Sequence, residues 1–173
     1  MKHIIKYSKW SFINEAEIFN KEKGGKFQHL FDIGITIVES LIKDHGFSPM
    51  VAAAIAGNMF SESQFNPTIV NKKNYYGLMQ WDPKIRKPKL FKLPNPTTIQ
   101  TQLSFIKKEL NGLYSKVLVA ANSATSIEEA TDIITRGYEG AAKSDIRRSA
   151  ARELLAAYLE KDTVTIKDDE VTN

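Results

Sequence analysis

The chain has 173 residues, enough for one domain with a modest surplus for extensions. Its 42% hydrophobic and 25% charged residues are ordinary for a globular protein, and no apolar run is long enough to span a membrane. The absence of cysteine excludes disulfides and thiolate metal sites without fixing a compartment. A net charge of +4 favours anionic polymers such as peptidoglycan, teichoic acid or nucleic acid, but does not choose among them.

Residues 1–26 are weakly patterned and end in Lys23-Gly24-Gly25-Lys26, a flexible break. Lys2 and Lys6 interrupt the apolar residues near Met1 before an apolar core of a secretory signal can form, so none is expected. Trp10, Phe12, Ile13 and Phe19 suggest an arm that docks on the main body. From Phe27 the pattern sharpens. Leu30, Ile33, Gly34, Ile37, Val38, Leu41 and Ile42 recur at helical spacing, and Gly46 closes that helix. Ser48 and Pro49 open the next as N-cap and first helical residue. This second helix, Met50 to Phe60, is apolar nearly all round and therefore belongs in the core. It runs into Ser61-Glu62-Ser63-Gln64-Phe65-Asn66-Pro67, where Asn66-Pro67 must turn.

The aromatic-rich stretch Tyr75 to Trp81 reads as an extended or hairpin segment ended by Asp82-Pro83. Residues 84–96 read as a basic, proline-punctuated loop. A helix from about Thr97 to Tyr114 presents Ile99, Leu103, Ile106, Leu110 and Leu113 on one face. Another starts at the capping box Ser126-Ile127-Glu128-Glu129 and reaches Gly137. A last helix spans about Ser144 to Leu159, and the polar residues 161–173 read as a disordered tail. The expected fold is mainly α with a small β element: an extension (1–26), a main domain (27–160) and the tail.

Chemistry enters at Glu62, a carboxylate at the end of a buried helix, just before the chain reverses. Apolar surroundings disfavour the charged form of a carboxyl and keep it protonated, which is what protonating a glycosidic oxygen requires. The ordinary alternative is an exposed helix-end glutamate. The histidines His3, His29 and His45 show no metal-ligand spacing, so neither a metal nor a cofactor is expected. The basic run Lys84, Arg86, Lys87, Lys89 and Lys92 is either a solvated loop or a holder of anionic polymer. Without aromatic interleaving beyond Phe91 the solvated loop is preferred, and no specific nucleic-acid partner is expected.

The stretch Gly57-Asn58-Met59-Phe60-Ser61-Glu62-Ser63-Gln64-Phe65-Asn66-Pro67, with Gly77-Leu78-Met79-Gln80-Trp81 beginning fifteen residues after Glu62, resembles the phage tail lysozyme family. That family looks related to goose-type lysozymes and soluble lytic transglycosylases, in which a Glu-Ser pair precedes a Gly-Leu-Met-Gln element. Tyr138-Glu139 matches a Tyr-Glu pair of the family, although Gly140-Ala141 replaces the usual Arg-Pro. The resemblance implies a lysozyme-like fold with the β element beside the cleft. It also implies a muramidase that cleaves between N-acetylmuramic acid and N-acetylglucosamine, with Glu62 as general acid. Ser63 would fix the Glu62 rotamer or cap the turn. Gly77, Met79 and Gln80 would line the sugar cleft, while Tyr75, Tyr76 and Trp81 would stack on sugars or fill the core. Tyr138 would reach the site or pack inside. A second carboxylate would be Glu139, Asp82 or Asp145, with Glu139 preferred, unless it pairs with Arg147 or Arg148.

Three other readings stay open. A lytic transglycosylase would use Glu62 as acid and then base, and leave an anhydro product. A non-catalytic wall-binding or tail-assembly protein would keep the fold without turnover. A helical nucleic-acid binder would not need Glu62. The expected partner is the glycan strand of peptidoglycan, with virion or secretion-apparatus proteins delivering the enzyme to the periplasm or wall, or a holin releasing it as an endolysin.

Overall fold

The structure, a computed structural model, describes the backbone of residues 26–171 and the side chains of residues 28–162. The proposed N-terminal arm, with Trp10, Phe12, Ile13 and Phe19, lies outside the described residues. Seven helices follow in chain order among them: α1 (Lys26–Lys43), α2 (Pro49–Ser63), α3 (Arg86–Leu90), α4 (Ile99–Asn111), α5 (Ser115–Asn122), α6 (Ile127–Gly137) and α7 (Asp145–Val171). The mainly α class is therefore correct.

The axis of the fold is α2. Every residue from Val51 to Phe60 is buried, because α7, α6 and α1 pack around it. Ser48 caps its start by accepting from the Val51 amide, and Pro49 occupies the first turn, where a missing N–H is harmless. α7 is its most extensive neighbour, and Gly57 sets their separation. A Cβ there would stand 2.5 Å from the Arg147 carbonyl oxygen and 2.9 Å from the Ala151 amide nitrogen. Only a residue without a side chain allows this crossing, and the crossing carries the start of α7 past the last turns of α2. The expected stripe of α1 faces inward, with Leu30, Gly34, Ile37, Val38 and Leu41 buried.

The chain reverses where α2 ends. Gln64 and Phe65 both take left-handed backbone angles (φ 50° and 61°), which non-glycine residues adopt only when tertiary packing compensates. The compensation is the buried Phe65 ring, 5.7 Å from that of Phe60.

The expected β element is not formed as strands among the described residues. Tyr76 makes isolated antiparallel bridges with Val70 and Trp81, and Gly77 to Gln80 turn between them. The reason is local. Gly77 (φ +76°) and Gln80 (φ 45°) bend the backbone so sharply that the alternation of a strand cannot begin. Gln102 of α4 clamps the turn: its Oε1 accepts from the Leu78 amide, and its Nε2 donates to the carbonyls of Pro67 and Pro96.

Other boundaries also differ from the sequence reading. Part of the supposed loop 84–96 coils into α3, where Pro88 sits in the first turn and so breaks no hydrogen bond. The helix expected to reach Tyr114 stops at Gly112, leaving Leu113 exposed, and α5 follows. Ser126 caps α6 as expected, accepting from the Glu129 amide. α7 runs beyond Leu159 into the polar stretch that follows.

Candidate active site

Glu62 lies in the last turn of α2, half-buried, and the crossing at Gly57 brings Arg147 of α7 onto it. The Arg147 Nη2 donates to Glu62 Oε1 at 2.6 Å. Its Nη1 donates at 2.8 Å to Oδ1 of Asn58, one turn back along α2. Asn58 is fixed in turn. Its amide donates to the carbonyls of Ala54 and Thr131, and its Oδ1 also accepts from the Thr135 hydroxyl. Three helices therefore hold one guanidinium, and the guanidinium holds Glu62.

Glu139, just past α6, completes the group. Its Oε1 is buried with no hydrogen-bond partner, as is the Nε of Arg147. Burial pushes the Glu139 carboxyl up to about 8, the positive charges of Arg86 and Arg147 oppose that rise, and the negative charges of Glu62 and Glu109 add to it. At neutral pH Glu139 therefore carries a proton, and its carboxyl feels the charge of Glu62. Two of the predicted residues, Glu62 and Glu139, thus interact electrostatically, and Arg147 pairs directly with the first.

A second polar centre gathers around Glu109. Glu109 of α4 accepts from Nε and Nη2 of Arg86, from the Trp81 indole N–H at 3.1 Å, and from the Tyr138 hydroxyl. The Arg86 guanidinium also covers the Tyr138 ring at 4.3 Å and donates to the Tyr138 carbonyl. Burial holds the Tyr138 phenol well above its ordinary value, so it remains a hydrogen-bond donor. Through Arg86 the expected basic run loses its continuity, because one of its cations faces inward and Lys87 reaches back to Asn74.

Several predicted residues are buried. Met79 and Trp81 are completely buried, and Tyr76 and Tyr138 nearly so. Trp81 stacks edge-on with Phe105, and Tyr76 with Phe91. Their rings fill the core, the second of the two roles left open, while Tyr75 is half-buried. Gln80 turns its amide to the carbonyls of Gly77 and Ile69. Gly77 approaches Gln102 so closely that a Cβ would lie 2.7 Å from Oε1. Ser63 donates to the Met59 carbonyl at 3.0 Å, which ties down the final turn of α2. Of the other candidate carboxylates, Asp145 is exposed and pairs with Arg148. Asp82 accepts from the amides of Lys84, Ile85 and Arg86 and shapes the entry to α3.

Glu109, Asn58, Gln102 and the pairing of Arg147 with Glu62 were missed in the sequence. Glu109 and Gln102 sit in an amphipathic helix where polar residues ordinarily face solvent. The one signal available was Asn58, a polar side chain inside an otherwise apolar helix. A buried amide demands partners, and those partners are Arg147 and Thr135.

Residues 35–158, most of the chain, match the family model described as phage tail lysozyme. Neither the curated proteins nor the solved structures contain a match.

Proposed function

The chain belongs to the phage tail lysozyme family, a family of lysozyme-like cell-wall hydrolases, and from that premise we propose that it is a muramidase whose general acid is Glu62. The substrate is the peptidoglycan glycan strand, and the bond cut is the β-1,4 link from N-acetylmuramic acid to N-acetylglucosamine. The observation that carries this reading is the setting of Glu62. It lies at the end of a helix buried from Val51 to Phe60, with its carboxylate still reaching the surface, and it acts electrostatically on a second carboxyl sunk in the protein. One side chain can meet substrate while its surroundings stay poor in water, and in such a site electrostatic effects on a reacting oxygen are strong.

In this reading Glu62 donates its proton to the leaving oxygen, and the turn Gly77 to Gln80 forms the sugar-facing wall. Trp81, Tyr76 and Tyr138, with the buried side chain of Met79, back that turn from the core, and Ser63 steadies the turn that carries Glu62. The lysozyme-like arrangement thus has a bridged turn where a β element was expected. Virion or secretion-apparatus proteins would deliver the enzyme to the wall. No helix among the described residues is long and apolar enough to cross a membrane.

A second reading, the lytic transglycosylase, is favoured by one feature. In the protein without substrate, burial raises the Glu139 carboxyl to about 8, so at neutral pH it rests as an acid and not as an ionised base for water. The 6-hydroxyl of the muramic acid would then attack in place of water.

The test is digestion of purified peptidoglycan by the wild type and by Glu62→Gln, with products read by mass spectrometry. Wild type is expected to release muropeptides with reducing ends. The variant should lose at least about 100-fold in rate, as removal of a general acid does. Anhydro ends would assign the chain to the transglycosylases. Equal release by both proteins would remove Glu62 from the mechanism.

A further inference from the structure

Arg147 is oriented by one contact that does not involve a charge. Its Nη1 bond to Asn58 is anchored from α2 and α6, so the guanidinium pivots on a fixed point. Two carboxyl groups feel that guanidinium. Glu62 is engaged by Nη2, whereas the buried Oε1 of Glu139 is unpartnered, as is the buried Nε of Arg147. The positive charge of Arg147 and the negative charge of Glu62 both act on Glu139. A buried unsatisfied donor and a buried unsatisfied acceptor each carry a desolvation penalty, and a native protein seldom keeps such groups without a use for them.

We propose that Arg147 is an exchangeable counter-ion shared by Glu62 and Glu139, and that the acidic proton of the pair resides on whichever carboxyl Arg147 is not holding. This rests on the reading of Glu62 as general acid and supplies what that reading lacks, a source for its proton. In the resting enzyme Arg147 holds Glu62, and the proton is on Glu139, in agreement with the rise of that carboxyl to about 8. When a glycan strand occupies the site, Arg147 turns about Asn58 to Glu139. The O–H bond of Glu139 is lost, an O–H bond forms on Glu62, and the guanidinium keeps all its protons. The three groups carry no net charge before or after. That conservation matters inside a protein, where an uncompensated charge is far more costly than an exchanged one.

The other charged groups facing Glu139 leave the exchange to Arg147. Arg86, at the start of α3, is occupied by two bonds to Glu109, and Glu109 of α4 is saturated by its donors. Arg147 and Glu139 are therefore positioning residues, acting through Glu62.

The test is the pH dependence of muropeptide release by the full-length wild type, Glu139→Gln and Glu62→Gln, with thermal midpoints alongside. Glu139→Gln leaves Arg147 no alternative carboxylate, so Arg147 stays on Glu62. The alkaline limb of the profile is then expected to move down by at least about one pH unit, and the rate at neutral pH to fall at least about tenfold, with the midpoint unchanged or raised. A wild-type alkaline limb and a full neutral rate in Glu139→Gln would overturn the proposal, even if Glu62→Gln is inactive. An active Glu62→Gln would instead remove the reading on which it rests. Should Glu139→Gln fail to fold, carboxyl carbon-13 NMR of the wild type decides. A protonated Glu139 at about pH 6.5 is the expected resting state, and an ionised Glu139 there would overturn it.

Discussion

Glu109 and Glu139 are both drawn inward, each interacting with Arg86, and the protein completes them in opposite ways. Glu109 accepts two bonds from Arg86, one from Trp81 and one from Tyr138, so its charge is matched and its acceptor positions are used. Glu139 leaves Oε1 without a partner, stands by an arginine already bound elsewhere, and takes up a proton instead. The first centre joins the turn after Tyr76, the start of α3, α4 and the end of α6, and a saturated network of that kind fixes a single arrangement. The second joins α2, α6 and α7 and is left unfinished where the chemistry is proposed. Saturation marks the frame of this molecule, and incompleteness marks the centre proposed for its chemistry.

That contrast breaks most visibly at Glu109. Replacing it by Ala would leave Arg86 inside the protein without its counter-ion, strip the acceptor from the Tyr138 hydroxyl, and leave the Trp81 indole only its longer bond to Tyr138. A loss of about 3–5 kcal/mol in unfolding free energy is expected, read by denaturant titration. A loss below about 1 kcal/mol would mean that the network is not the frame described here.

Glu139→Gln sharpens the same contrast from the other side. Its folded value of about 8 lies above the ordinary 4.5, so over that window the unfolded chain releases its proton first. Wild-type stability accordingly falls as pH rises from about 4.5 to about 8, and then levels off where both states are ionised. The amide abolishes this slope. The variant is expected to exceed wild type by about 2–4 kcal/mol near the top of the window and to match it at the bottom. Parallel stability curves for the two proteins would show that Glu139 does not titrate in this way.

The crossing that assembles the unfinished centre is tested next. Gly57→Ala forces a methyl group against the Arg147 carbonyl and Ala151 of α7, and neither backbone can yield cheaply. About 1–3 kcal/mol of destabilisation is expected, together with a lower rate on peptidoglycan as α7 is displaced from Glu62. An unchanged thermal midpoint would show that the crossing has slack.

How much of this was legible in the sequence divides along the same line. The axis of the fold was readable because α2 is apolar on all sides and its cap, Ser48-Pro49, is local. The capping box of α6 and the stripe of α1 were equally local. Glu62 stood out through its place between a buried helix and a reversal. What sequence reading missed depends on distance along the chain. Arg147 meets Glu62 across 85 residues and Asn58 across 89, and no periodicity announces such pairs. Arg86 looked like one cation in a basic loop until Glu109, 23 residues on, drew it inward. The strand expected around Tyr76 failed for another reason. Its aromatic composition satisfied β propensity, but the positive φ angles of Gly77 and Gln80 and the clamp from Gln102 turned it back at once.

Asp82 separates an architectural carboxylate from a chemical one at the smallest scale. Partial burial works against its charge, but the amides of Ile85, Arg86 and Lys84 hold the carboxyl below its ordinary value, helped by the Arg86 cation. A depressed folded value means that its stabilisation is present above the ordinary 3.8 and is lost as pH falls through the lower, folded value. Asp82→Ala should therefore cost about 1 kcal/mol at neutral pH, as loss of a capping side chain does. In strong acid, where the wild-type carboxyl is itself protonated, the cost should shrink. Muropeptide release should stay within about twofold of wild type, because Asp82 spends its oxygens on the backbone of its own turn. A folded Asp82→Ala that releases no muropeptides would place a second carboxylate of the reaction in this turn.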